Sequence, residues 1–200
     1  MKQDGAPVIS PTASKDWRPV ILHHASILFD QVGYHDATMD DLAAMVGLAK
    51  PSLYYYFRSK EAILYELSYA GVVHLTEQLQ SRSGIGLTSS QAILEAMVDV
   101  LQMAHEHPGW MRVLVEFTGA LSDESRARIL ALRETYQQEL EKIVGQAMDN
   151  GDIRRADVVL ATRAVFGMCN WSYRWIKPED EPRQIAYLFW DVAFNGLHPR

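Results

Sequence analysis

Residues 38–60 read TMDDLAAMVGLAKPSLYYYFRSK, and this stretch predicts two short helices joined by a tight turn. Thr38 is placed to cap the first helix, because a threonine hydroxyl can accept from the N–H groups that a helix start leaves unpaired. Gly47 is expected to end that helix, since glycine tolerates the left-handed backbone that closes helices. Pro51 suits the first turn of the second helix, where the missing N–H has no partner anyway. The stretch is typical of a helix-turn-helix.

The second of these helices is predicted to have one apolar side and one polar side. Leu53, Tyr56 and Phe57 lie together at helical spacing, so the intervening serine and tyrosines face outward. Lysine, serine and tyrosine donate hydrogen bonds to the phosphates and base edges of duplex DNA. Alternatively, three consecutive tyrosines fill a core or an interface. The preceding helix–glycine turn and the lysine that follows favour contact with DNA.

The segment from Ile21 to Leu67 resembles the DNA-binding domain of the TetR family of bacterial transcription repressors. The matching residues are Ile21, Ala25, Leu28, Phe29, Gly33, Tyr34, Thr38, Leu42, Ala43, Gly47, Leu48, Leu53, Tyr54, Tyr56, Phe57, Lys60, Glu61 and Leu64. The positions that the resemblance implies for DNA contact are Thr38, Lys50, Ser52, Tyr54, Tyr55, Tyr56 and Lys60. Thr38 and Lys60 match phosphate-contacting positions. Asp40 departs from the pattern and implies no base contact from its own side chain.

The net charge of −6 does not by itself favour binding to nucleic acid. We therefore expect affinity for DNA to depend on the local cluster of Lys50, Arg58 and Lys60. The single cysteine, Cys169, excludes an internal disulfide and fits a reducing cytoplasm. The chain has no signal peptide and no apolar run long enough to cross a membrane, so we expect a cytoplasmic protein without membrane contact.

The rest of the sequence predicts helices and no strands, so the expected fold is all-α. Glycine, proline and capping residues divide the chain into nine helices, which is the number and order that the TetR resemblance implies. The predicted body helices are 60–82, 89–106, 108–120, 124–150, 156–177 and 182–195. The predicted organisation is a disordered tail at 1–14, a helix-turn-helix DNA-binding domain at 15–62, and a ligand-binding and dimerisation domain at 63–200.

The last two predicted helices favour a homodimer. The apolar positions expected at the interface are Val158, Val159, Ala161, Thr162, Val165, Phe166, Cys169, Tyr173, Ile185, Leu188, Phe189, Val192 and Ala193. Two such helices from each chain would form a four-helix interface, and a palindromic DNA site needs a two-fold partner. Alternatively, both faces close the core of a monomer.

In the TetR family the body holds a ligand pocket, so the resemblance implies a small-molecule effector. The residues expected to bind it are Met103, Trp110, Met111, Phe117, Arg163, Phe166, Trp171 and Arg174. The segments 170–178 and 185–197 are similar to the C-terminal helices of family members that respond to acyl-CoA thioesters. Arg163 and Arg174 are then expected to pair with the CoA phosphates, and a salt bridge elsewhere is the alternative for both.

Catalysis and metal binding are not predicted. The sequence lacks a phosphate-binding glycine loop and a nucleophile elbow, and His105 and His107 lack the spacing of a helical metal pair. No cofactor is expected apart from an acyl-CoA effector. The favoured function is a ligand-responsive dimeric repressor, and the alternative is a TetR-fold structural DNA-binding protein without a small-molecule effector.

Overall fold

A computed structural model describes residues 16–82 and 84–197, and the predicted tail at 1–14 lies outside them. Within these residues the chain is all-α, as predicted. The helices are α1 (Arg18–Val32), α2 (Met39–Val46), α3 (Lys50–Tyr56), α4 (Lys60–Ser81), α5 (Ser89–Glu106), α6 (Pro108–Glu116), α7 (Asp123–Asp149), α8 (Val158–Asn170) and α9 (Pro182–Asn195). In this described part of the chain no helix is long and apolar enough to cross a bilayer.

Two predicted helices end earlier than expected. The helix predicted at 108–120 stops at Glu116 and continues as a 3-10 turn at Thr118–Ala120. The helix predicted at 156–177 stops at Asn170, and a second 3-10 turn follows at Ser172–Arg174. This turn buries Tyr173, whose hydroxyl donates to Glu116 of α6 at 2.6 Å. Helical periodicity alone does not predict where a helix ends when a residue after its end, such as Tyr173, bonds to a distant part of the chain.

Two clusters of buried side chains organise the molecule. We call the cluster under α1–α3 the head core and the cluster under α5–α9 the body core. Helix α4 contributes to both, because Ile63, Leu64 and Leu67 lie in the head core while Val72 and Leu75 lie in the body core. The long helix is therefore buried along its length against both clusters and ties them together.

The head core also contains side chains from beyond α4. Three such residues are buried in it: Val113 of α6, Leu121 of the segment before α7, and Ile129 of α7. Their exposed fractions are 0%, 4% and 0%. The predicted boundary after residue 62 thus separates residues that pack in one core. Burial of apolar surface is the main favourable term in folding, so the head depends on these later residues for its stability.

Helices α1 and α6 pack with their backbones in close approach. A Cβ atom on Gly109 of α6 would lie 2.7 Å from the carbonyl carbon of Ser26 in α1 and closer still to its oxygen. Arg112, one turn later, donates from Nη1 to the carbonyl oxygen of Asp30 near the end of α1. The first contact requires glycine at position 109.

Candidate DNA-binding surface and effector cavity

Helices α2 and α3 form the predicted helix-turn-helix. Thr38 Oγ1 accepts from the backbone N–H of Asp41 at 3.1 Å, and the Asp41 carboxylate accepts from the Thr38 N–H, so the two residues form a capping box. Gly47 ends α2 with φ 76° and ψ 28°, and its N–H bonds back to the last turn. The predicted cap and turn are confirmed.

The exposed side of α3 carries the predicted DNA-reading side chains. Leu53 is fully buried and anchors the helix in the head core, whereas Tyr55 is 83% exposed and Tyr54 is 41% exposed. Ser52 is also exposed, while Tyr56 is half-buried against the head core with its ring edge-on to Tyr55. This surface can donate hydrogen bonds from several hydroxyl groups, and the DNA contacts themselves stay predictions.

Arg18 holds the C-terminal end of α3 in place. Its Nη1 donates to the Tyr56 carbonyl oxygen at 2.9 Å, its Nη2 pairs with Glu66, and its guanidinium lies 4.5 Å from the centre of the Phe57 ring. Sequence reasoning did not select this residue, because an arginine at a helix start carries no local sign of a partner 38 positions away.

Lys60 is committed to the protein backbone rather than free to meet phosphate. Its ammonium donates to the carbonyl oxygens of Tyr34, His35 and Ala37 at 2.6, 3.0 and 2.6 Å. Partial desolvation lowers the pKa of Lys60 below its ordinary value. An ammonium has three donors, and all three are used here. The structure thus places Lys60 as a clamp on the turn before α2, which differs from the phosphate contact that the resemblance implies.

Lys50 at the start of α3 forms an ion pair with Asp40 in the first turn of α2. Its Nζ lies 2.7 Å from one carboxylate oxygen and 3.0 Å from the other, and the hydrogen bond to Asp40 raises the pKa of Lys50. Both side chains are more than half exposed on the side of the head that carries the tyrosines. Asp40, which implied no base contact of its own, neutralises Lys50, which is one of the residues predicted to contact DNA.

Asp40→Asn is expected to tighten binding to nonspecific duplex DNA by about fivefold, because it removes one repelling charge and frees Lys50 for phosphate. The dependence of log Kd on log salt concentration should steepen by about one unit. Fluorescence anisotropy with a random-sequence duplex at several salt concentrations measures both. Glu139→Gln is the matched control, since it breaks an exposed Lys142–Glu139 pair in α7 with the same charge change. Equal gains in the two variants would contradict a role for Asp40 at the DNA surface.

The body contains a cavity of about 350 Å³ between α4, α5, α6, α7 and α8. Its apolar wall consists of Val72, Leu75, Val100, Met111, Leu114, Val115, Leu130, Leu140 and Phe166. Its polar wall consists of Arg133, Glu134, Tyr136, Gln137, Arg163 and Asn170. Small-molecule sites combine an apolar lining with a few polar groups in this way, and the volume lies near the lower end of their usual range.

Three of the residues predicted to bind a ligand line this cavity, namely Met111, Arg163 and Phe166. Five do not. Met103 is buried in the body core, and Trp110 and Phe117 pack against the head core. Trp171 is 51% exposed and lies beside Arg174, whose guanidinium pairs with Glu116. Arg174 therefore forms the salt bridge that was its alternative, and its pairing with ligand phosphates stays a prediction.

Arg133 is a cationic cavity residue that sequence reasoning missed. Its Nη1 donates to the Leu114 carbonyl oxygen at 3.2 Å, and desolvation lowers the pKa of the guanidinium. A signal was present, because Arg133, Tyr136 and Leu140 recur at helical spacing on one face of α7. A charge in the middle of a long polar helix was not distinguished from a solvated one.

The surface left open by α8 and α9 includes Leu188 of the predicted interface but not Val165, Phe166 and Cys169. Val165, Phe166 and Cys169 are buried in the body core. The apolar face of α8 that they form therefore packs inside the protomer itself. The large exposed apolar side chains are Leu160 and Trp171 near α8 and Tyr187 and Leu188 on α9. Burial raises the pKa of Cys169 to about 12, so its thiol stays protonated at neutral pH. Within 16–82 and 84–197, no group of acidic, histidine or cysteine side chains has the arrangement of a metal site.

A helix-turn-helix head on a helical body with a cavity is the architecture of a DNA-binding transcriptional regulator. The chain belongs to the TetR family. Residues 21–67 match the model of bacterial regulatory proteins of the tetR family, and residues 86–197 match a tetracycline repressor-like C-terminal domain. TetR regulators bind DNA, often bind small-molecule effectors, and form dimers. The family consists of transcriptional regulators rather than enzymes, as the sequence indicates.

Three relatives illustrate the similarity. The TetR-family regulator PfmR from Thermus thermophilus is 31% identical with a TM-score of 0.82, over 90% of this chain and 99% of that one. AibR, in complex with isovaleryl coenzyme A and operator DNA, is 26% identical with a TM-score of 0.80, over 90% of this chain and 98% of that one. The negative transcriptional regulator IcaR of the Staphylococcus aureus biofilm operon is 28% identical over 140 residues, 67% of this chain and 70% of that one.

Proposed function

We propose that the protein is a dimeric repressor that binds a palindromic operator and is released by a small apolar effector, with an acyl-CoA thioester as the best-supported candidate. The observation that carries this proposal is the placement of α6. Met111 and Leu114 line the cavity, whereas Val113 between them is buried in the head core. One helix thus contacts both the ligand space and the core that positions α3.

A ligand in the cavity acts on the head through this helix. Because Gly109 already packs against the backbone of Ser26, a shift of α6 toward α1 must push α1 ahead of it. The effector moves the equilibrium between two arrangements of the heads only as far as its preference for one arrangement allows.

An acyl-CoA matches the two kinds of side chain, apolar and cationic, that line the cavity. The apolar residues of the lining can contact an acyl group. Arg163 of the lining can pair with an anionic part of the ligand. The structure of AibR with isovaleryl coenzyme A supports the same ligand class in a relative of similar fold. A volume of about 350 Å³ favours a short acyl group over a long one.

The dimer is proposed to form through α8 and α9, as the sequence indicates, and through a partly different set of side chains, since Leu188 belongs to the predicted interface and Leu160 does not. Leu160 and Leu188 are 63% and 60% exposed, and large exposed apolar groups on neighbouring helices are typical of an interface. Negative regulation is supported by IcaR. A palindromic operator follows from the two-fold symmetry that such a dimer imposes.

Isovaleryl-CoA at a hundredfold excess over its Kd is expected to stabilise the protein by about 2.7 kcal/mol, because it binds the folded state alone. For a chain of this size that raises Tm by about 5–10 °C. Differential scanning fluorimetry measures the change in Tm. A gel-shift assay with an operator selected from random DNA measures release of the protein from DNA. Sedimentation should show that the protein is a dimer. Free coenzyme A is the control. No stabilisation by short, medium or aromatic acyl-CoA would instead favour the structural DNA-binding protein without an effector.

A further inference from the structure

The charged side chains of the described residues are mostly paired, and the exceptions are informative. Eight of the twelve described arginines form salt bridges. The four that do not are Arg58, Arg133, Arg154 and Arg163. Two of these four, Arg133 and Arg163, line the same cavity. A protein that pairs most of its guanidinium groups has left two of them unpaired around one cavity.

Arg133 is held in position but is not neutralised. Only its Nη1 has acceptors in the described chain, the Leu114 carbonyl oxygen at 3.2 Å and Thr118 Oγ1 at 3.5 Å. Neither Nε nor Nη2 meets a protein acceptor among these residues, although a guanidinium has five donors in a fixed fork. Partial desolvation of the charge lowers the pKa of Arg133, while part of the residue stays exposed to solvent. The free side of the fork suits an anion from outside the chain.

The other polar groups of the cavity do not supply that anion. Glu134 is the one carboxylate on the described lining, and its Oε1 accepts from Gln138 within α7. Gln137, Arg163 and Asn170 add further donors to the same wall. Most of the other residues of the lining are apolar, so the cavity combines apolar surface with two guanidinium groups.

We infer that Arg133 binds the anionic group of the effector, so that the cavity selects an amphipathic anion with a short apolar chain and rejects a neutral molecule of the same shape. This inference rests on the proposed function in placing the effector in this cavity. The anionic group is a carboxylate of a free acid or a phosphate of a CoA thioester, since the guanidinium fork matches the oxygens of both.

Arg133 also connects the bound anion to the head. Its Nη1 contacts the carbonyl oxygen of Leu114 in the last turn of α6, the helix that contributes Val113 to the head core. An anion that draws the guanidinium toward the cavity weakens this hydrogen bond. The group that recognises the ligand is therefore attached to the helix that we propose transmits its binding.

The test is isothermal titration of the full chain with octanoate, octanoyl-CoA and 1-octanol, which share an apolar chain and differ in charge. The wild-type protein is expected to bind at least one of the two anions at least tenfold more tightly than octanol, and the tighter anion identifies the source of the charge. Arg133→Gln should weaken that anion by about tenfold to a hundredfold, the usual effect of losing a hydrogen bond to a charged group. Arg133→Lys keeps the positive charge but lacks the guanidinium fork, so its affinity for that anion should lie between those of the wild type and Arg133→Gln.

Arg154→Gln is the matched control, because Arg154 is an exposed, unpaired arginine outside the cavity lining. Circular dichroism checks that each variant is folded. Octanol binding as tightly as the anions, or anion binding unchanged in folded Arg133→Gln and Arg133→Lys, overturns the inference, as does the absence of binding by all three compounds. Anion binding through Arg133 without release of operator DNA would uphold the inference and contradict the proposed function.

Discussion

Gly109→Ala is expected to destabilise the protein by about 3 kcal/mol, the upper range for overpacking in a core. The added Cβ would lie 2.7 Å from the Ser26 carbonyl carbon and 3.3 Å from its Cα. Both obstructing atoms belong to the backbone of α1, so no rotation of a side chain can relieve the clash. Helices α1 and α6 must separate, which opens the head core at Val113. Urea unfolding followed by circular dichroism measures the loss.

Gly119→Ala is the matched control for this substitution. No atom lies within 4 Å of a Cβ built at Gly119, and its backbone is not left-handed. The control should therefore be neutral or slightly stabilising, because alanine has less conformational freedom to lose than glycine. A Gly109→Ala protein as stable as Gly119→Ala would show that α1 and α6 are not in close backbone contact.

Arg82→Met is expected to cost about 3 kcal/mol of unfolding free energy at neutral pH, because it leaves a buried carboxylate without its partner. Arg82 follows α4 and donates from Nη2 to Asp99 of α5 at 2.6 Å, while its Nη1 pairs with the other oxygen. The Asp99 side chain is only 8% exposed. Thermal unfolding of the variant and wild type compares the two. Arg126→Met, which breaks an exposed pair with Asp123, should change stability by less than about 1 kcal/mol.

The cost of Arg82→Met should depend on pH. Desolvation already raises the pKa of Asp99 above its ordinary value, and the Arg82 hydrogen bond opposes that rise. Without Arg82 the folded-state pKa rises further above the unfolded-state value. The folded variant then binds a proton that the unfolded chain releases, so its stability falls as pH increases through the folded-state pKa. The difference from wild type should be smaller at pH 5 than at pH 8, and a difference that grows toward pH 5 would contradict this account.

The helix-turn-helix could be predicted from sequence because its determinants are local. Thr38 and Asp41 are three residues apart, and Gly47 closes the same helix that they begin. These interactions recur in many proteins and do not depend on the rest of the fold. The partners of Lys50 and Lys60 were not predictable in the same way, since they lie 10 and 23–26 residues away.

The effector site and the interface were predicted less well, for a physical reason. Helical periodicity shows that Val165, Phe166 and Cys169 share a face, but it does not show whether the same chain or a second copy covers that face. Trp171 and Arg174 illustrate the same limit. Helix α8 ends at Asn170, neither residue lines the cavity, and the turn that follows is tied to α6 by the Tyr173–Glu116 hydrogen bond across 57 residues.

The burial of Val113, Leu121 and Ile129 beneath α1–α3 has a consequence for the modularity of this protein. A fragment that ends after the predicted DNA-binding domain at residue 62 lacks six buried apolar side chains of its own core, three from α4 and three from beyond it, and exposes the surface they cover. A chimera that joins this head to an unrelated sensor inherits the same defect unless the new body supplies matching residues on its sixth and seventh helices. Operator specificity and ligand specificity can then diverge only through substitutions that keep this joint packing intact, so the two halves must evolve as one unit.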